Sequence, residues 1–391
     1  MSAKAEIEIS ARGGAGVARE LGRVGGALGQ VQGKARAATS MVRGLYGALG
    51  GVGLMAGAKR VLDFRSIIGQ LQADMGISTE AARALEQQVL STSQAYGVAK
   101  AEVAGALQVF QDFGGIVDKG STILDGLTKV AKASGTPVKE LATIASTLMQ
   151  TLGMSPDEAL ASITQFNDQA LKGQVSMRKL AGIIPGVMGA GVGKGFAGGR
   201  AVTQLGTLLQ VAGQATGGNA EEARTQALAL MRDLAKAAPK LKKQFKIDVL
   251  DKDKNLRDLD VLMAEIAKAT KGTMLDKKSA IIFTEESAKV AGIFRSMFDV
   301  TTGKYKAGST VENVLGAKGG MGAIDEQYNR RVEGIDKEGQ KLQSTITELD
   351  AGLMKYGSSV LEWINANTAT AVTGAVAGGL AWKLGGSVVG A

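Results

Sequence analysis

The sequence predicts a mainly α-helical protein: an elongated array of short amphipathic helices with one small β-hairpin. Three observations carry this. A helix-start signal recurs through the middle of the chain, and the apolar residues after each signal follow helical spacing. Only one segment, 244–250, alternates with the period of a strand. Of the 391 residues, 45 % are apolar but only 4 % aromatic, so the contacts rest on Ala, Val, Leu and Ile. Gly fills 55 positions, about twice its usual share, against 4 for Pro.

Five zones follow in chain order. Residues 1–66 are a basic, Gly/Ala-rich N-terminal helical region. The first 65 residues hold ten basic and four acidic side chains, so +6 of the net charge of +9 sits there. Residues 67–243 are the helical core, and 244–300 hold the hairpin and further helices. Residues 301–362 are a Gly-rich linker and a charged helix. Residues 363–391 are a Gly/Ala/Val tail whose only charged side chain is Lys383.

The core is the most legible zone. A Gly ends one helix, a small polar residue caps the next, and an acidic residue or Pro enters the first turn. This order stands at Gly76-Ile77-Ser78-Thr79-Glu80 and Gly135-Thr136-Pro137. It returns at Gly153-Met154-Ser155-Pro156-Asp157-Glu158 and Gly218-Asn219-Ala220-Glu221-Glu222. Ser155 and Glu158 have capping-box spacing with Pro156 at the first helical position, and Asn219 and Glu222 repeat the spacing. Val138, Leu141, Ala145, Leu148 and Leu152 then form one helical face, and Val103, Leu107 and Phe110 another. The spacing implies helices of about 15 residues with short joints, and units of this size bury little alone and must stack. The period is approximate, so no strict solenoid repeat follows. Beyond the core, Gln244 to Leu250 reads as a strand, Asp251 to Asn255 as a polar turn, and Leu256 to Leu259 as the return.

The chain has no Cys and no His, which excludes disulfides, thiol nucleophiles, His bases, Cys/His zinc sites and the His-containing triads. Gly193, Gly195 and Gly198 match the three-glycine dinucleotide pattern. No apolar strand leads into them, and the first acidic residue beyond is Glu221, already a helix-start residue. A loop from Gly186 to Gly199 is the expectation. Asp251, Asp253 and Asn255 occupy the first ligand positions of a calcium loop, but Leu256 and Leu262 replace its Gly and Glu. The pairs Glu285/Glu286 and Asp157/Glu158 sit at helix starts, where capping and the helix dipole explain them. No catalytic, cofactor or metal site is expected. No charged segment followed by an apolar one opens the chain, so the expectation is synthesis in a cytoplasm without a secretory signal.

Basic residues cluster at Lys240, Lys242, Lys243 and Lys246, and are spread at Arg12, Arg19, Arg23, Lys34, Arg36 and Arg43. They suit contact with DNA, an acidic membrane or an acidic protein wall, or simply a solvated helix face. Tyr46 is the only aromatic residue in the first 60, so sequence-specific nucleic-acid recognition is not expected there. In the tail, Trp363 and Trp382 bracket a 20-residue window without charge, about 30 Å as a helix. Gly374 and Gly378 place small residues on one helix-packing face. Asn365, Asn367 and three Thr residues lie inside and make insertion marginal.

Over roughly residues 67–300 the chain resembles the tail tape measure proteins of bacteriophages and phage-tail-like particles. The resemblance lies in Ala73-Asp74-Met75-Gly76-Ile77-Ser78, Gln94-Ala95-Tyr96-Gly97-Val98 and Phe110-Gln111-Asp112-Phe113-Gly114. It continues in residues 131–137, in residues 150–159, in Leu180 to Val187, and in the hairpin Ile247 to Leu259, where Lys254 stands in place of a frequent Gly. It implies a helical multimer inside a tail tube, a homo-oligomer of three or six copies. It also implies control of tail length during assembly and ejection ahead of DNA. The implied partners are the tail tube protein, distal tail or baseplate hub proteins, a tail assembly chaperone and, on ejection, the host inner membrane. No cofactor is implied, and the hydrolases some members carry would need His or Cys. A second reading, from the Trp363–Trp382 window and the small-residue pairs Gly47/Gly51 and Gly53/Gly57, is a membrane-active, pore-forming or secreted helical protein.

Overall fold

A computed structural model of the chain describes residues 63–270 and 283–333. The elements below belong to the compact unit that spans Ser66–Gln340. It is mainly helical, with one two-stranded antiparallel sheet among the described residues.

After a helical stretch through 66–75, α1 (Thr79–Tyr96) starts on Ser78, whose hydroxyl accepts from Ala81 N, and ends on left-handed Gly97. α2 (Lys100–Asp112) follows at once, then the short α3 (Val117–Thr122) and α4 (Leu124–Ser134). Left-handed Gly135 ends α4 and leads into α5 (Val138–Thr151). α6 (Pro156–Lys172), α7 (Met177–Ala181), α8 (Ile184–Val192) and α9 (Gly198–Ala215) come next. α10 (Ala220–Phe245) is longer than the roughly 15 residues the periodicity suggests, and it carries exposed Pro239 in its interior.

Helix pairs stack into two layers. In one, α2 packs on α5, α5 on α8 and α8 on α10; in the other, α1 packs on α4, α4 on α6 and α6 on α9. The left-handed glycines keep the beat: Gly76, Gly114 and Gly153 are 38 and 39 residues apart, and Gly97 and Gly135 are 38 apart. Hydrogen bonds pin each unit to the next across about one repeat. Gln88 Nε2 donates to Ser121 O and Gln150 Nε2 to Phe113 O, while Gln210 Oε1 accepts from Gln174 N. The stacking that the sequence implied is therefore regular enough to show in the rungs, each holding mainly its neighbours.

Beyond α10 lie α11 (Leu259–Ala269), α12 (Glu285–Met297), β1 (Phe298–Asp299) paired with β2 (Lys304–Tyr305), α13 (Thr310–Leu315) and α14 (Met321–Glu333). The segment from α12 to α14 returns along the second layer: α12 lies on α9 and α10, α13 on α9 and α6, α14 on α6 and α4. Tyr328 of α14 meets Tyr96 edge-on, with ring centroids 5.7 Å apart.

The strand read at Gln244–Leu250 needs correction. α10 continues to Phe245 and stops at Lys246, which is left-handed (φ 59°). Ile247 and Val249 are buried, but the return makes only an isolated bridge between Leu250 and Leu256. The alternation reported which side chains turn inward, not a ladder. The two-stranded sheet forms at 298–305 instead, with two residues per strand. The loop expected over Gly186–Gly199 is also shorter, because α8 runs to Val192 and α9 begins at Gly198.

Ser155 shows the cap grammar at full strength. Its hydroxyl accepts from Glu158 N (3.3 Å) and the Glu158 carboxylate accepts from Ser155 N (2.8 Å). The second bond, and then the hydroxyl's own bond to the carboxylate, lower the Glu158 pKa. Ser155→Ala is expected to cost about 1 kcal/mol. Circular dichroism melts, with exposed Lys236→Ala as the neutral comparison, would show the difference; coincident melts would refute it.

Candidate functional site

A cleft of about 520 Å³ opens where the α1–α2 junction meets the α4–α5 junction. The two Gly-led helix joints bring main chain close on both sides, Gly97–Ala99 opposite Gly135–Pro137. Neither N-cap there, Ala99 or Pro137, supplies a capping side chain. For α5 the acceptor arrives from another helix: Glu102 of α2 takes Val138 N at 3.0 Å. Thr136-Pro137 is therefore not a self-sufficient start signal. In the opposite sense, Lys132 near the end of α4 donates to Gly97 O, the cap of α1, at 3.3 Å.

Three cations line this cleft with Glu102. Arg331, from α14, donates to Ala133 O (3.3 Å) and lies against Gly135, where an added Cβ would stand 2.7 Å from its Nη1. Arg178 of α7 is exposed at the cleft and makes no hydrogen bond or ion pair among the described residues. Burial lowers the Lys132 pKa, and the positive charge of Arg331 lowers it further against the opposing pull of Glu102. The one carboxylate is committed to Val138 N. The arrangement is cationic, built on main chain, and offers no nucleophile–base pair. Among the described residues no cluster of acidic side chains could hold a metal ion.

The other motifs have structural roles. Gly195 (φ +84°) leaves open the space that Asn255 fills; a Cβ there would lie 2.1 Å from the Asn255 side chain. Leu256 N donates to Lys194 O, and Arg200 bridges Leu256 O (2.6 Å), Gly195 O and Asp258 (2.6 Å). The three-glycine segment is thus the socket for the 251–258 turn. Asp251 closes that turn itself, its Oδ1 accepting from Asp253 N and Asn255 N at 2.9 Å each. Lys254 is left-handed (φ 63°).

Asn219 caps α10 by accepting from Glu222 N (3.3 Å), but the Glu222 carboxylate turns to Gln226 (3.0 Å). Lys240, Lys242, Lys243 and Lys246 are exposed, with Lys242 paired to Asp248 at 2.6 Å. Trp363, Gly374, Gly378 and Trp382 lie outside the described residues, as do the basic residues from Arg12 to Arg43. Among the described residues no helix is long and apolar enough to cross a membrane. Sequence reasoning missed Glu102, Lys132, Arg178 and Arg331. Lys132 and Arg178 left a local trace, each a basic residue in the last turn before a helix-ending Gly.

A family model described as phage-related minor tail protein matches residues 86–284, just over half of the chain. No curated protein and no solved structure matches it.

Proposed function

The chain belongs to the phage-related minor tail protein family, and from that premise we propose that it is the tape measure of a phage or phage-like tail. In this reading several copies line the tail tube, set its length during assembly and leave ahead of the DNA. The working contacts are the tube protein, the distal hub and an assembly chaperone, with the host inner membrane met on release. The role is structural, not enzymatic.

The observation that carries the proposal is the family match, which spans most of the stacked helix pairs from α1 to α10. The way the stack is held supports it. Its rungs are joined by side-chain to main-chain hydrogen bonds across a core of mainly Leu, Val, Ile and Ala side chains. Each such bond contributes about 1 kcal/mol net.

The test is tail length. A fully helical chain of 391 residues would span about 590 Å. Removing 98–135 joins Gly97 to Thr136 and deletes one repeat. Tails assembled with this deletion should be shorter by up to about 57 Å, in whole tube rings. Electron micrographs showing assembled tails of unchanged length would end the ruler reading.

A further inference from the structure

We propose that the cleft between the α1–α2 and α4–α5 junctions binds a carboxylate-bearing segment of a partner protein. The inference rests on the geometry of the cleft and stands apart from the ruler reading.

Lys132 and Arg331 are held close enough for each to oppose the other's charge, and Arg178 adds a third cation. Glu102 brings one negative charge against these three positive ones, and it also accepts Val138 N. A fold that gathers three cations around one engaged carboxylate gains from an anion at that place. The helices α2 and α5 add to this, since both begin at the cleft and neither has its own capping side chain.

The lining selects among anions. Val98, Ala99, Ala131 and Pro137 give apolar contact and the glycine joints expose main chain, which suits a peptide. No aromatic ring lines the cleft, so it lacks the usual stacking platform for a nucleobase. Arg178 and Arg331 present planar forks that match a carboxylate with two parallel hydrogen bonds. Because Arg331 comes from α14, the site is complete only when the returning segment is seated on α4.

The experiment uses the full-length chain and a fluorescein-labelled hexaglutamate peptide, read by fluorescence anisotropy. Binding is expected, with Arg178→Ala plus Arg331→Ala weakening it about tenfold. Arg178→Glu alone should weaken it as well; that side chain is exposed and unpartnered, so its loss leaves folding intact. Lys240→Gln plus Lys243→Gln on α10 removes equal charge elsewhere and should change affinity less than about twofold. Absence of binding, or equal losses in the two double variants, would overturn the proposal. So would competition by oligothymidylate or inorganic phosphate as effective as that by unlabelled hexaglutamate, which would make the cleft a phosphate site.

Discussion

Replacing Asp233 by Ala is expected to destabilise the folded unit by about 3 kcal/mol, because one buried carboxylate holds the start of α12. Asp233 lies on α10 and is 4 % exposed. Its Oδ2 accepts from Thr284 N (2.9 Å), Thr284 Oγ1 (2.6 Å) and Ser287 Oγ (2.7 Å), and its Oδ1 accepts from Arg232 Nε (3.0 Å). Thr284 is the N-cap of α12 yet makes no cap bond with its own hydroxyl. The carboxylate that takes the Thr284 N–H comes from 51 residues upstream. Burial by itself would push the Asp233 carboxyl up, but the hydrogen bonds from Thr284, Ser287 and Arg232 together bring it down to about 2.

The sign for pH follows from that depression. The charged form is favoured by folding, so its stabilisation is fully present above the unfolded pKa near 4 and fades as pH falls towards about 2. The span corresponds to about 2 kcal/mol. Urea titrations at pH 7 and pH 3 should show the wild type losing more stability than Asp233→Asn over that interval. Equal losses, or an Asp233→Ala variant within 0.5 kcal/mol of wild type (roughly the scatter of neutral surface changes), would show that α12 does not depend on this carboxylate.

What could be read from the sequence divides by distance along the chain. Ser78, Ser155 and Asn219 cap within three residues, so their chemistry stands written beside the helix it starts. The apolar face of α5 is likewise local, and Val138, Leu141, Ala145 and Leu148 are fully buried. The groups that join the rungs are different. Glu102 reaches Val138, Asp233 reaches Thr284 and Arg331 reaches Ala133 across 36, 51 and 198 residues. Nothing near any of them distinguishes it from a solvated charge. The cleft is built mostly from such pairs, so only Lys132 and Arg178, each just before a helix-ending Gly, left a mark. The sheet escaped for another reason: strands of two residues are too short for alternation to register.

Gly319→Val is expected to unseat the returning segment, at a cost of about 3 kcal/mol. Gly319 has φ +66°, and a Cβ there would lie 2.4 Å from Gln165 N and 2.7 Å from Gln165 Cα and Thr164 C. These are backbone atoms of α6, which cannot step aside as a side-chain end can. The neighbouring residues are gripped through main chain. Thr164 Oγ1 accepts from Gly320 N (2.8 Å), Asp168 Oδ2 from Lys318 N (3.1 Å) and Gly319 N (3.3 Å), and Gln165 Nε2 donates to Ala317 O (3.1 Å). A valine at 319 would push this tetrapeptide off α6 and break several of those bonds together. α14 follows directly; it buries only Ile324, and its remaining ties are Gln327 to Asn167 (2.7 Å), Tyr328 against Tyr96, Asp325 to Lys129 and Arg331 to Ala133 O. Faster trypsin cleavage after Lys318 and faster hydrogen exchange in α4, which α14 covers, should both result. Gly322→Ala is the internal control. It is the second residue of α14, three beyond Gly319, with nothing within 4 Å of an added Cβ, and alanine has the better helix propensity there. That variant should resist trypsin as well as or better than wild type. If Gly319→Val keeps wild-type cleavage and exchange, the segment is not seated on α6 through this contact.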